Sequence, residues 1–234
     1  GIAEQNAAAF SAGLATTGKI PFVVTYAVFG SLRMCEMIRQ EICYTNLNVK
    51  IACSHGGLTP ANDGASHQAI EDMGVLRTIP NMTVIMPADY WGARKLVRAA
   101  AEMDGPVYLR LARLATTVFD PMPFEVGKGN VMRDGKDAVI FACGLMVEQS
   151  LMAAELLKEQ GKDVAVVNLH TIKPIDREAV IEAARTHDLI VTAEEGVLAG
   201  GAGDAVMEVI AEAGLTTPVL CFGIPDEFIE QGTQ

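Results

Sequence analysis

Apolar and polar positions along this chain follow two alternating rhythms. Short apolar runs closed by Gly, Pro, Asn or Asp predict strands over 22–26, 49–54, 83–86, 107–111, 138–142, 164–168, 189–192 and 218–222. Between them, apolar residues three and four apart predict helices over 3–17, 31–45, 66–78, 90–103, 145–159, 176–186 and 205–213. Strands that alternate with helices require crossovers, so the expected class is α/β, with mostly parallel sheets covered by helices. The stretch 119–130, F-D-P-M-P-F followed by V-G-K-G-N, has no clean period and reads as a linker. It divides an expected first domain, 1–118, from a second, 131–234.

The same pattern assigns faces. Ala3, Ala7, Phe10 and Leu14 form a stripe on the first helix. In the helix over 31–45, Leu32, Cys35, Ile38 and Ile42 share one face and Met34 and Met37 lie nearly opposite. Two apolar faces imply cover from a partner chain as well as from the sheet.

Composition narrows the possibilities. Half of the 234 residues are hydrophobic and a fifth charged, enough for one large core or two modest ones. No run of about 18 apolar residues occurs. A formal charge of −11 with scattered Lys and Arg argues against a nucleic-acid or anionic-membrane surface. The five cysteines are widely spaced, with no C-x-x-C pair, which suits buried thiols in a reducing cytoplasm. A start at Gly1, without a charged leader, suggests a chain whose true beginning is not shown, so that the first domain lacks an N-terminal part.

Four stretches carry candidate chemistry. Glu4 sits in the first turn of an otherwise apolar helix; the macrodipole alone accounts for an acid there, whereas a buried acid tends to stay protonated and to donate a hydrogen bond. Tyr26 and Phe29 stand where a strand hands over to a helix, the usual place for a ligand crevice or for plain core packing. The loop C-S-H-G-G-L-T-P-A-N-D-G-A-S-H-Q, 53–68, gathers His55, Asp63 and His67 around paired glycines. Loops of that length in compact domains are usually functional. A zinc site through Cys53, His55 and His67 is a weak rival, and Ser66 reads as the cap of the next helix. Arg110 and Arg113, in Y-L-R-L-A-R, are candidate clamps for a phosphate or sulfonate, or ordinary salt bridges. The glycines of L-A-G-G-A-G-D lack the rest of a dinucleotide fingerprint and read as a tight turn into a helix.

Taken together, G-I-A-E-Q, the aromatic strand end, D-G-A-S-H-Q, L-R-T-I-P-N-M-T-V, P-A-D, T-I-K-P-I-D and F-G-I-P-D resemble the transketolases and their relative deoxyxylulose-phosphate synthase, over essentially the whole chain. The likeness is to the carboxyl-terminal subunit of a split transketolase. It implies a pyrimidine-binding domain, a transketolase C-terminal domain, and thiamine diphosphate with Mg²⁺ as cofactors. By position, Glu4 would hydrogen-bond N1′ of the cofactor's aminopyrimidine, Tyr26 and Phe29 would line its ring, and His55, Asp63 and His67 would contact substrate hydroxyls. His67 would stand near the reacting carbons and Arg113 would hold a terminal phosphate. The implied reaction is transfer of a two-carbon ketol unit from a ketose to an aldose.

Leu32 replaces a frequent third aromatic and Asn62 a usual acid. The family's G-D-G diphosphate and metal motif is missing, so the resemblance implies an N-terminal partner subunit that supplies it, in an assembly of two of each chain. The alternatives are a deoxyxylulose-phosphate synthase fragment, the β subunit of a 2-oxoacid dehydrogenase, and a partner-binding module without turnover.

Overall fold

The computed structural model describes residues 2–233. Gly1, on which the expectation of an unshown beginning rests, lies outside them. The first half runs α1 (Glu4–Ala15), β1 (Phe22–Tyr26), a helical stretch of three parts, β2 (Lys50–Ser54), α3 (Asp72–Arg77), β3 (Thr83–Ile85), α4 (Tyr90–Glu102) and β4 (Val107–Arg110). The three-part stretch is a π-helical run Phe29–Arg33, a single α-turn α2 (Cys35–Met37) and a second π-helical run Ile38–Cys43. The second half runs β5 (Asn130–Arg133), β6 (Ala138–Ala142), α5 (Met146–Glu159), β7 (Val164–Asn168), β8 (Thr171–Lys173), α6 (Arg177–Thr186), β9 (Leu189–Val197), α7 (Ala202–Glu212) and β10 (Val219–Ile224).

These strands make two five-stranded sheets, ordered β1-β2-β4-β3-β8 and β10-β9-β6-β7-β5. All pairings are parallel except the edge pairs β3–β8 and β5–β7. The fold is therefore α/β, as the alternation of periods requires. Strand β8 comes from the second half yet completes the first sheet. It is held there by Lys173, whose amine donates to the carbonyls of Arg77 (2.9 Å) and Ile79 (2.6 Å) at the end of α3.

Three expectations fail for physical reasons. First, the buried face of α1 is Glu4, Ala8, Ser11 and Ala12, whereas Phe10 is 66% exposed; the small residues let the helix lie close to the sheet, and the large ring is left outside. Second, the stretch 29–43 winds with i→i−5 hydrogen bonds, Met34 N–H to Phe29 O and Tyr44 N–H to Arg39 O. This rotates Ser31, Met34, Ile38 and Ile42 onto one buried side and turns Leu32 to the outside. The two-faced reading assumed an α-helical period. Third, the helix over 66–78 is only α3, and Ser66 does not cap it; its hydroxyl meets the Asp63 carbonyl and the His67 ring. Residues 57 and 69 instead form an antiparallel bridge that draws the loop back on itself.

The glycine-rich turn before α7 does lead into a helix. It is held by Glu194, which accepts hydrogen bonds from the N–H groups of Ala202 and Gly203, both 2.9 Å, at the helix's positive end. The last carbonyls after α4 are satisfied by the fully buried Lys50, which donates to Met103 O (2.8 Å) and Gly105 O (2.7 Å); burial lowers its pKa to about 8.

Candidate active site at the carboxyl ends of the first sheet

Strands β1 and β2 lie side by side in register, Tyr26 opposite Ser54, so their carboxyl ends present Tyr26 and His55 together. In an open parallel sheet this edge is where the crossovers leave a crevice. His55 adopts a left-handed backbone, φ 62°. Its ring lies flat on Tyr26, centroids 3.7 Å apart and planes 14° from parallel, and Ser54 Oγ is 2.8 Å from its Nδ1. Burial lowers the imidazole's pKa, and the Arg113 cation and His67 lower it further, against Asp63, which raises it. At neutral pH the ring is therefore uncharged.

The aromatic cluster extends to Phe29, 6.2 Å from Tyr26 and stacked on it, and to His67, whose ring meets Phe29 edge-on at 5.5 Å and Tyr26 at 6.1 Å. Beyond the imidazoles, Arg113 faces Asp63 at 3.7 Å and donates to Pro60 O at 3.1 Å. Both partners are more than 40% exposed, so this pair is a mobile surface contact rather than a fixed strut.

Glu4 is buried at the start of α1, only 4% exposed. It borders a groove of about 400 Å³ lined by Ile2, Ala3, Ala7, Val23, Thr25 and Met34 among others. Tyr26 and Phe29 do not line this groove. The link is Arg33, whose guanidinium donates to Glu4 Oε2 at 3.2 Å and stands over the Phe29 ring at 4.7 Å. The expected protonated acid is not what this chain shows. Burial pushes the Glu4 carboxyl up, but its own backbone N–H and the Arg33 cation, among other groups, pull it further down, so the net shift is downward and the group is a carboxylate.

Arg110 is no clamp for a ligand. It is buried, its Nε donates to Asp72 Oδ2 at 2.8 Å, and Nη2 donates to the carbonyls of Ala69 (2.7 Å) and Glu195 (2.8 Å). Tyr108 donates to the same Asp72 oxygen at 2.6 Å. This ion pair raises the Arg110 pKa over the opposing effect of its burial. The zinc alternative also lapses: Cys53 packs in the core with its thiol pushed up to about 12 by burial, and no group of three or more His, Cys, Asp or Glu suited to a metal occurs among the described residues. The His170 ring meets Thr171 Oγ1, and the His187 ring meets the carbonyls of Ala183 and Gly135.

Sequence reasoning passed over Arg33, although it stands only seven residues beyond Tyr26. It also passed over Asp72 and Glu195, acids whose burial nothing in the local pattern announces. The paired acids of E-E-G were the available signal.

The architecture defines a class: a two-sheet α/β chain with an acid, an aromatic pair and imidazoles at one sheet's carboxyl edge. Residues 1–118 match the family model of the transketolase pyrimidine-binding domain, and residues 127–234 that of the transketolase C-terminal domain. The chain belongs to the transketolase family. It is 45% identical, over 99% of its length and 74% of the relative's, to a Methanocaldococcus jannaschii protein provisionally described as a transketolase C-terminal section. A 6-deoxy-6-sulfo-D-fructose transketolase subunit from Clostridium sp. strain MSTE9 is 39% identical over 99% of this chain and 72% of its own. The 1-deoxy-D-xylulose-5-phosphate synthase of Syntrophotalea carbinolica is 42% identical, but the chain spans only 37% of it. Among solved structures, a split-gene transketolase described as an inactive β4 tetramer superposes with a TM-score of 0.91 at 48% identity, over 98% of this chain and 75% of that one.

Proposed function

We propose that this chain is one subunit of a thiamine-diphosphate-dependent transketolase, which moves a two-carbon ketol unit from a ketose or its phosphate to an aldose or its phosphate. The observation that carries this reading is a buried carboxylate, Glu4, reached through Arg33 and Phe29 from two imidazoles at the carboxyl edge of the same sheet. The donor set fits the cofactor's aminopyrimidine: one buried acid beside an apolar groove, with aromatic rings at the neighbouring strand end. When bound, the cofactor supplies the carbon nucleophile.

The chain's own part is orientation and proton placement. Glu4 would hold a proton toward N1′ with the Arg33 guanidinium drawn off, because that removes one of the groups that oppose the upward pull of burial on its pKa. Neutral His55, stacked on Tyr26, accepts or donates to a substrate hydroxyl without a charge penalty, and His67 serves in proton transfer. Asp63 contacts a further hydroxyl. Arg113, half-exposed and shared only with Asp63 and a carbonyl, is free to turn to a terminal phosphate or sulfonate.

The diphosphate and Mg²⁺ belong to an N-terminal partner subunit in an α2β2 assembly. The exposed apolar set Ile2, Phe10, Phe22, Val24 and Leu32 around β1, which lies at its sheet's open edge, supports this. We place the subunit in the cytoplasm, where its five free, widely spaced cysteines stay reduced. No helix among the described residues is long and apolar enough to cross a membrane.

Glu4→Gln tests the reading in the complex reconstituted with the partner. Ketol transfer should fall by about 10²–10⁴-fold, the usual worth of a positioned acid–base group; unchanged turnover would return the chain to a partner-binding module. The likeness to the synthases favours one second reading, deoxyxylulose-phosphate synthesis, and consumption of pyruvate in place of a ketose donor would select it.

A further inference from the structure

The paired acids at the carboxyl half of β9 face opposite ways. Glu194 serves its own sheet by holding the start of α7. Glu195 serves the other sheet: its Oε1 accepts the Leu58 N–H at 2.8 Å, and its backbone carbonyl accepts from Arg110. The contact is close enough to explain both glycines of H-G-G-L. A Cβ on Gly57 would fall 2.4 Å from the Glu195 carboxyl carbon, and one on Gly56 would fall 2.7 Å from Cγ of Arg110. Gly57 also needs its left-handed backbone, φ 63°. The two residues next to His55 are therefore pressed between a carboxylate of the second sheet and a guanidinium of the first. Gly56 N–H also donates to Leu111 O at 3.0 Å, Gly56 O accepts from Thr59 Oγ1 at 2.6 Å, and Gly57 and Ala69 exchange a reciprocal pair, so the segment is locked to the residue after β4, to its own turn and to the end of the loop.

We propose that Glu195 is a positioning residue for the site, acting through Leu58, Gly57 and Gly56 to hold the His55 backbone in the left-handed turn that lays its ring on Tyr26. This rests on the reading that His55 belongs to the substrate site, and it adds a role for the second half of the chain there. His55 lies among Tyr26, Ser54, Asp63, His67 and Arg113, none of which Glu195 touches. Any effect of Glu195 on His55 must therefore pass through the backbone between them.

The test uses the full chain labelled with ¹³C and ¹⁵N, following the His55 ring by NMR titration and the Leu58 amide by hydrogen exchange. Glu195→Ala should speed exchange of the Leu58 amide roughly tenfold and move the His55 midpoint upward, toward that of a solvated imidazole. Glu195→Gln, whose amide oxygen can still accept, should leave both near wild type. If Glu195 merely ties the sheets together, Glu195→Ala will lower the unfolding temperature while the His55 midpoint stays put, and the proposal falls. Should Glu195→Ala not fold, Glu195→Asp, shorter by one methylene, carries the same two readouts with the same expectations. His55→Ala in the complex with the partner separates the two layers. Unimpaired ketol transfer there, with a His55 midpoint that follows Glu195, would sink the site assignment and keep the positioning.

Discussion

Replacing Arg33 by methionine removes the cation that faces Glu4 while keeping a long apolar stem beside Phe29. Burial raises the pKa of Glu4, while its own backbone N–H and Arg33, among other groups, lower it. Arg33 is itself 45% exposed, so its contribution is screened, yet it is the one that a partner or ligand can displace. The expected outcome of Arg33→Met is a Glu4 titration midpoint shifted upward, read from the carboxyl ¹³C resonance assigned with Glu4→Gln. The sign has a consequence for stability. A carboxyl held below its ordinary range contributes stability above that range and loses it as pH falls, so the variant should give up part of the acid dependence that wild type shows at this group. An unmoved midpoint would mean that Arg33 does not set the charge state of Glu4. At this scale the sequence offered candidates for chemistry and was silent about their charge. A carboxylate's state depends on a neighbour 29 residues on, brought close only by the fold.

Elements show why some patterns could be read and others could not. Where an apolar period persists through a regular helix or a buried parallel strand, as in α4, α5, β2 and β7, the expected and observed spans agree to within a residue or so, because one face or both must be buried. The short edge strands β5 and β8 were illegible: each is three or four residues, antiparallel, and held by partners far away in sequence. The stretch 29–43 was legible as helix and misread as to face, because its wide turns are a backbone property that the apolar pattern does not encode. The candidate loop was marked by its residue types, but its shape, bridged at 57 and 69 and tied to Glu195, lay outside any local pattern. Helix winding makes a sharp prediction. Met34 is fully buried and Leu32 is 44% exposed. Met34→Ala should cost about 2–5 kcal/mol, whereas Leu32→Ala in the lone chain should stay within about 0.5 kcal/mol. Denaturant unfolding measures both, and equal losses would restore the two-faced α-helix.

At the scale of the whole chain, the two halves are joined by buried polar groups as much as by apolar ones: Arg110 with Glu195, Lys173 with the end of α3, and β8 itself in the first sheet. His170, just before β8, belongs to this seam. It is completely buried, tilted against Phe124 at 5.2 Å, its Nδ1 is 3.0 Å from Thr171 Oγ1, and its Nε2 has no hydrogen-bond partner among the described residues. Burial lowers its pKa to about 4. The unfolded chain takes up this proton near pH 6.5, while the folded chain refuses it until about pH 4. The neutral ring's contribution is thus complete above pH 6.5 and is lost progressively as pH falls to 4, a total on the order of 3 kcal/mol. The loss should appear first where the halves meet, since protonation forces charge into the seam rather than into either sheet's interior. His170→Asn keeps a polar group near Thr171 and removes the titration. Unfolding free energies measured from pH 7.5 to 4.5 should therefore fall more steeply for wild type than for the variant, with the difference opening below pH 6.5. Parallel curves would show that the imidazole is hydrated in solution and that the acid sensitivity of the seam lies with other groups.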